Sequence, residues 1–168
     1  FLVVEGFGWL YQFRFYTIPT TLPNFLILLV LFDFFFYWFH RHNHTINMLW
    51  AAHMPHHTSE EFNTFVATRA SITQRIFSFT YMWPLVLVGF RPEAIYAASA
   101  VQLLIAFWHH TRAIGKMGWF EVIFNSPSHH RVHHAMNEKY LDKNFGEIFI
   151  IWDKMFGTFK AEEEEPIY

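Results

Sequence analysis

Cysteine is absent from the chain, and with it go disulfides, thiolate zinc sites, thiolate-bound iron–sulfur clusters and any cysteine nucleophile. A metal held here must be held by nitrogen and oxygen. Charge is scarce as well: Asp, Glu, Lys and Arg make up 15% of the residues, against about 25% in a typical soluble domain. A net charge of -2 offers no basic surface, so no nucleic-acid partner is expected. No G-x-G-x-x-G turn and no flavin signature occur. No initiator Met and no basic segment precede the first apolar run, so the chain reads as a segment of a longer protein rather than one opening on a signal peptide. What fills the space is apolar: 53% of the residues are hydrophobic, with 22 Phe and 7 Trp among the 168. That balance points to a membrane protein, and the length to a single domain over residues 1–168.

Residues 1–24, aromatic and broken by Pro19 and Pro23, read as a connector at a membrane interface. Residues 25–160 are expected to form the core, and 161–168 an acidic tail whose run Glu162 to Glu165 is most simply solvated. From Phe25 to Phe39 only Asp33 is charged, and residues 20–24 before it and the histidines after it lengthen this run into a membrane helix. No Gly or Pro occurs between it and Pro55, so the helix should run unbroken through His40 to His44. Phe77 to Phe90, interrupted by Pro84, and Ala94 to Trp108 flank Arg91-Pro92-Glu93 and predict a helical hairpin. Such a hairpin returns His110 to the side of His40 to His57. Of the 12 Lys and Arg only Arg14 and Arg91 fall on the far side, which predicts a cytoplasmic histidine face. The expected fold is therefore all-α: an integral membrane bundle of one helix plus a hairpin, topped by a cytoplasmic helical cap. Ser126 or Ser128 should cap a short helix over the last histidines.

All 12 histidines fall into clusters at the ends of the apolar runs: His40/His42/His44, His53/His56/His57, His109/His110 and His129/His130/His133/His134. Residues three and four apart share a helix face. His40 and His44 therefore point together and His42 elsewhere, while His53, His56 and His57 repeat the pattern, as do His130, His133 and His134. With His110 these make nine imidazoles, too many for one ion of four to six ligands, and they divide naturally between two. His129 is a surplus candidate, and His42 and His109 are set aside. Ligand imidazoles need partners for the other ring N–H. Asp33, seven residues or about two turns before His40, faces the same way. Glu60, Asn63, Asp142 and Asn144 are further candidates, though helix capping or a turn explains Glu60, Asn63 and Asp142 equally well.

The stretches DFFFYWFHRHNH from Asp33, LWAAHMPHHTSEEFN from Leu49 and HHRVHH from His129 closely resemble the histidine boxes of the fatty acid hydroxylase/sterol desaturase superfamily. YLDKNFG from Tyr140 and IIWDKMFGTF from Ile150 are similar to it too. FWHHT from Phe107, followed by SPSHHRVHH from Ser126, looks most like the alkylglycerol monooxygenase branch and its bacterial relatives, with Arg112 standing where an acidic residue is expected. The resemblance implies an integral membrane, non-haem di-iron enzyme that uses O2 to hydroxylate or desaturate a lipid C–H bond. It implies His40, His44, His53, His56, His57, His110, His130, His133 and His134 as ligands, with His129 outside the superfamily's set but matched in the branch. It also implies a membrane lipid as substrate and an outside electron donor of cytochrome b5, ferredoxin or pterin type. The bacterial inner membrane or the endoplasmic reticulum would house it.

Imidazole suits zinc as well as iron. A zinc hydrolase acting on lipid would use similar ligands but needs a carboxylate base, and H-E-x-x-H does not occur. A metal transporter or storage protein would more often place its ligands within the membrane helices than gather them at one face.

Overall fold

The computed structural model describes residues 2–168 and is all-helical, with no strand among the described residues. Seven α-helices follow one another: α1 (Leu2–Leu10), α2 (Leu22–Thr45), α3 (Asn47–His57), α4 (Ile72–Val88), α5 (Pro92–His109), α6 (Pro127–His134) and α7 (Ile151–Phe156). α2 is the spine, and α3, α4 and α5 all pack on it. Among the described helices it alone is long and apolar enough to cross a membrane, with a mean hydropathy of 1.9 over its best window. Thr21 starts it by accepting the N–H of Asn24 at 3.4 Å, and Pro23 sits in the first turn, where a missing N–H costs nothing.

The helix runs unbroken through His44, but what ends it is neither Gly nor Pro. Ile46, at φ -114° and ψ 115°, closes α2 by donating to the His42 carbonyl at 2.9 Å and opens α3 by accepting from Trp50 at 2.8 Å. The β-branched pair Thr45-Ile46 favours that extended step, and it folds α3 back toward the histidines of α2. Pro55 and Pro84 both lie inside helices instead of breaking them. Pro55 falls in the last turn of α3, so its missing N–H forfeits one backbone bond, to the Ala51 carbonyl, and the helix ends two residues later.

Before α2, α1 carries Phe7 into the core, its ring 4.6 Å from Phe79 and 5.8 Å from Tyr96. Phe7 joins Leu28, Phe32, Met82, Leu85, Val86, Ile95 and Ala98 in the main apolar cluster. α4 and α5 meet at Gly89, whose φ of 125° no other residue adopts readily. A Cβ there would strike the Tyr16 carbonyl, because Phe15 and Ile18 are hydrogen-bonded to Leu87 and Gly89 at 2.7 and 3.1 Å.

The backbone of residues 161–168 is tied to the fold at several points. Glu162 pairs in two places with the buried guanidinium of Arg131 at 2.7 and 3.0 Å, and the N–H groups of Glu163 and Glu164 donate to the Tyr140 hydroxyl at 2.6 and 2.7 Å. Met136 donates to the Ile167 carbonyl at 2.7 Å, and Tyr168 stacks on Phe62 with ring centroids 5.0 Å apart. Arg131 takes up Glu162 alone; the side chains of Glu163, Glu164 and Glu165 are exposed, as a solvated run of acids should be.

Candidate metal centre

Each histidine arrives on a helix that a local signal begins or ends. Ser126 starts α6 by accepting the N–H of His129 at 3.3 Å, with Pro127 at the first helical position, and all eight residues of α6 are buried. α2 delivers His40 and His44 at its last turns, α3 delivers His53, His56 and His57, and His110 caps α5. The nine expected rings come together, and they do so as two groups: His40, His44, His53, His57 and His133 form one, and His56, His110, His130 and His134 the other. Within each group the nearest ring nitrogens lie within 4.8 Å of one another. Pairs four apart on a helix (40/44, 53/57, 130/134) stay together, while His56 and His133, each directly beside one member of such a pair, address the neighbouring group. The groups touch where His57 stacks on His134 at 4.3 Å.

The nitrogens are set for cations. The Nδ1–H groups of His40, His56, His110 and His133 donate to the carbonyls of Phe145, Val66, Ala106 and Lys143 at 2.8, 3.0, 2.6 and 2.9 Å. That fixes the proton on Nδ1 and leaves the Nε2 lone pair facing inward. His56 and His110 then aim two lone pairs at each other across 3.3 Å, an arrangement that repels unless a cation lies between. The Nε2 separations of 3.0 to 3.3 Å from His110 to His56, His130 and His134 match the roughly 3.3 Å edge of a tetrahedron whose corners lie about 2.0–2.1 Å from a metal. The Nε2 atoms of His44 and His133 are buried with no hydrogen-bond partner in the protein, a costly placement for a ring nitrogen that a metal ion would satisfy.

Electrostatics agrees. Burial first, and then the neighbouring rings, hold His53, His56, His57, His130, His133 and His134 well below the ordinary imidazole range. Burial pushes His110 down to about 4. These rings are neutral at pH 7, the form that binds metal. They also make the metal-stripped fold acid-labile: the unfolded chain takes up protons as the pH falls through about 6.5, while the folded chain resists until about 4 for His110. Stability is therefore complete above about pH 6.5 and falls below it, by up to about 1.4 kcal/mol per pH unit for each such ring. Urea unfolding of the metal-stripped chain at pH 7.0, 6.0 and 5.0 checks this expectation, and a midpoint unchanged across that range contradicts it.

The other expected residues sit elsewhere. His42 is 2.8 Å from the Tyr81 hydroxyl, on the far face of α2. His129 joins neither group; its ring packs on Phe159 at 5.4 Å. Asp33 touches no histidine. Four donors converge on its carboxyl group instead: Gln102 Nε2 at 3.2 Å, the N–H groups of Ile148 and Phe149 at 2.8 and 3.0 Å, and Trp152 Nε1 at 3.0 Å. Its alignment with His40 along α2 is real, but the residues 145–149 lie between. Glu60 is exposed with no ring beside it, and Asn63 caps the 3-10 turn Thr64–Thr68 that carries the Val66 carbonyl. Asp142 stands 3.6 Å from His44 Nδ1. Asn144 bonds the carbonyls of His129 and Lys160 at 3.0 and 2.7 Å. Asp142 and Asn144 both hold φ at 57°, a left-handed conformation these side chains tolerate best among non-glycines, and so turn the Lys143 carbonyl between them toward His133.

What the sequence does not announce is that carbonyls support the rings. Asp153 grips the loop that provides one of them, accepting from the N–H groups of Phe145 and Gly146 at 2.7 and 2.8 Å. Gln102, a lone amide in the apolar run of α5, is a signal that marks the wall of a cavity of about 250 Å³. Phe32, Phe36 and Phe39 of α2, Phe79 and Met82 of α4 and Ile95 and Leu103 of α5 line it, and His40, His53, His56, His110 and His130 close it. Both histidine groups thus open into one apolar space.

The fatty acid hydroxylase family model matches residues 25–158. Human alkylglycerol monooxygenase is 47% identical over 137 residues, covering 81% of this chain and 30% of that protein. The ornithine lipid hydroxylase OlsE of Rhizobium tropici is 30% identical over 132 residues, covering 78% of this chain and 40% of its own length. Human lathosterol oxidase is 26% identical over 139 residues, covering 76% and 42%. The chain therefore spans less than half the length of these relatives, and no solved structure matches it. With all nine gathered histidines inside the matched segment, the chain belongs to the fatty acid hydroxylase family.

Proposed function

We propose that this chain carries the active centre of a membrane-bound di-iron oxidoreductase that uses O2 to hydroxylate or desaturate a C–H bond of a lipid. The observation that carries the reading is the shared floor: two groups of neutral, inward-facing imidazoles end one apolar cavity. His40, His44, His53, His57 and His133 would hold one iron, and His56, His110, His130 and His134 the other. Bound there, the irons supply the O2-derived oxidant that an unactivated C–H bond requires and that no side-chain acid or base replaces. The chain's own residues do the rest. The Phe-lined walls take up an alkyl chain and exclude water, and the carbonyls of residues 106, 143 and 145 keep the rings from turning as ligands come and go.

α2 and the pair α4 and α5 would lie in the bilayer, with the histidine face toward the cytoplasm. Leu22, Leu26, Ile27 and Leu104, exposed on α2 and α5, then face hydrocarbon. The lipid enters from that side, and electrons come from a separate donor of cytochrome b5, ferredoxin or pterin type. The names of the relatives, an alkylglycerol monooxygenase, an ornithine lipid hydroxylase and a lathosterol oxidase, favour oxidation over the zinc-hydrolase reading. Lipid mass spectrometry of cells with and without the full protein tests the proposal. An identified lipid should gain one oxygen or lose two hydrogens when the protein is present; a hydrolysed lipid, or an unchanged lipid profile, overturns it.

A further inference from the structure

His109 and Glu147 form a buried couple that metal binding leaves unused. Their exposures are 0% and 4%, and the Nδ1–H of His109 donates to Glu147 Oε1 at 3.1 Å. His109 directly precedes His110, and its ring lies 5.6 Å from that of His130. Glu147 lines the cavity beside His110 and His130, and it is the one carboxylate among the described residues that does so.

The loop around it is pinned on both sides. Gly146 N–H is held by Asp153 at 2.8 Å, Ile148 N–H by Asp33 at 2.8 Å, and the Gly146 carbonyl by Asn125. A carboxylate offers two oxygens, each with room for more than one hydrogen bond. His109 takes Oε1, while no described residue donates to Oε2, and that oxygen is not sealed in protein. A fixed acceptor in an apolar cavity is costly to leave unmatched, so it discriminates sharply between ligands with and without a donor to give it.

We propose that Glu147, held by His109, selects the substrate by accepting a hydrogen bond from a hydroxyl that the lipid carries near the carbon to be oxidised. The hydroxyl lies near that carbon because Glu147 lines the same cavity as His110 and His130, and its partner His109 adjoins both rings, directly before His110 in the chain and 5.6 Å from His130. His109 is a positioning residue: its N–H fixes which carboxylate oxygen remains for the lipid. This assignment rests on the lipid-oxidation reading above.

The test compares hexadecylglycerol with the same ether bearing methyl groups on both hydroxyls, using the full metal-loaded protein in lipid nanodiscs. The unsubstituted protein should show a KM about 10- to 100-fold lower for the hydroxylated lipid, the range of one hydrogen bond to a charged group. In Glu147→Leu the KM ratio should collapse to about one with metal content intact. Glu147→Gln, which keeps an acceptor oxygen and nearly the same shape, should retain part of the preference, and His109→Phe should weaken it. Preference surviving in Glu147→Leu, or metal lost in parallel with it, overturns the assignment. Should Glu147→Leu not fold, a full preference in Glu147→Gln together with His109→Phe does the same. If the unsubstituted protein oxidises both ethers with equal KM, or takes neither, this assignment falls; the lipid-oxidation reading falls only if no cellular lipid gains oxygen or loses hydrogen in the comparison above.

Discussion

His44→Ala and His133→Ala will each cut the chain's metal content and abolish turnover, whereas His42→Ala will leave both near those of the unsubstituted protein. The first two rings aim buried, unpartnered Nε2 atoms into the group of five. Removing a residue that merely supports a ligand typically costs about 10- to 100-fold in metal affinity, and removing the ligand should cost more. His42 lies two residues from both His40 and His44, on the other face of α2, with Nδ1 against Tyr81 at 2.8 Å. Metal content by elemental analysis and oxygen uptake of purified variants check the expectation. If His42→Ala lost metal as the other two do, the helical-face reasoning that separates ligands from bystanders would be wrong.

Asp33→Asn will destabilise the fold by about 3 kcal/mol or more, an effect of the size that leaving two buried donors without acceptors produces. All four groups around Asp33 are donors, two of them backbone amides 115 and 116 residues away in the chain. An Asn side chain has one acceptor oxygen, and its NH2 would confront an amide or the Trp152 indole with donor against donor. The loss propagates: residues 145–149 carry the Phe145 carbonyl that orients His40 and the Glu147 that faces the cavity. Hydrogen exchange should show Ile148 and Phe149 losing protection first, with metal affinity dropping alongside. Unchanged protection at those amides would remove Asp33 from the support of the site.

Helical periodicity made the histidine faces legible, since imidazoles three and four apart must share a face. The long apolar run made α2 legible, and Ser126 followed by Pro127 made the start of α6 so. The division of nine rings into five and four was not legible, because it depends on how α3 and α6 cross. His56 and His133 sit beside members of one group in sequence and serve the other in space. Nor could the partners of the ring N–H groups be read, because backbone carbonyls carry no residue signature. The search for side-chain partners therefore named Glu60 and Asn63, which are exposed, and gave Asp33 a histidine it never touches, while Asp142 stands 3.6 Å from His44 Nδ1. The step at Ile46 was hidden because tertiary packing imposes it where no Gly or Pro stands. Glu163 to Glu165 are exposed as their composition indicates, but the pairing of Glu162 with the buried Arg131 could not be read, because the two residues lie 31 apart in the chain.

The decisive measurement is the metal content of the purified, unsubstituted protein, with its spectrum recorded before and after O2 is admitted to the reduced sample. Two irons per chain that oxidise together are the expected result. One zinc per chain with no response to O2 would contradict the two-ion oxidase.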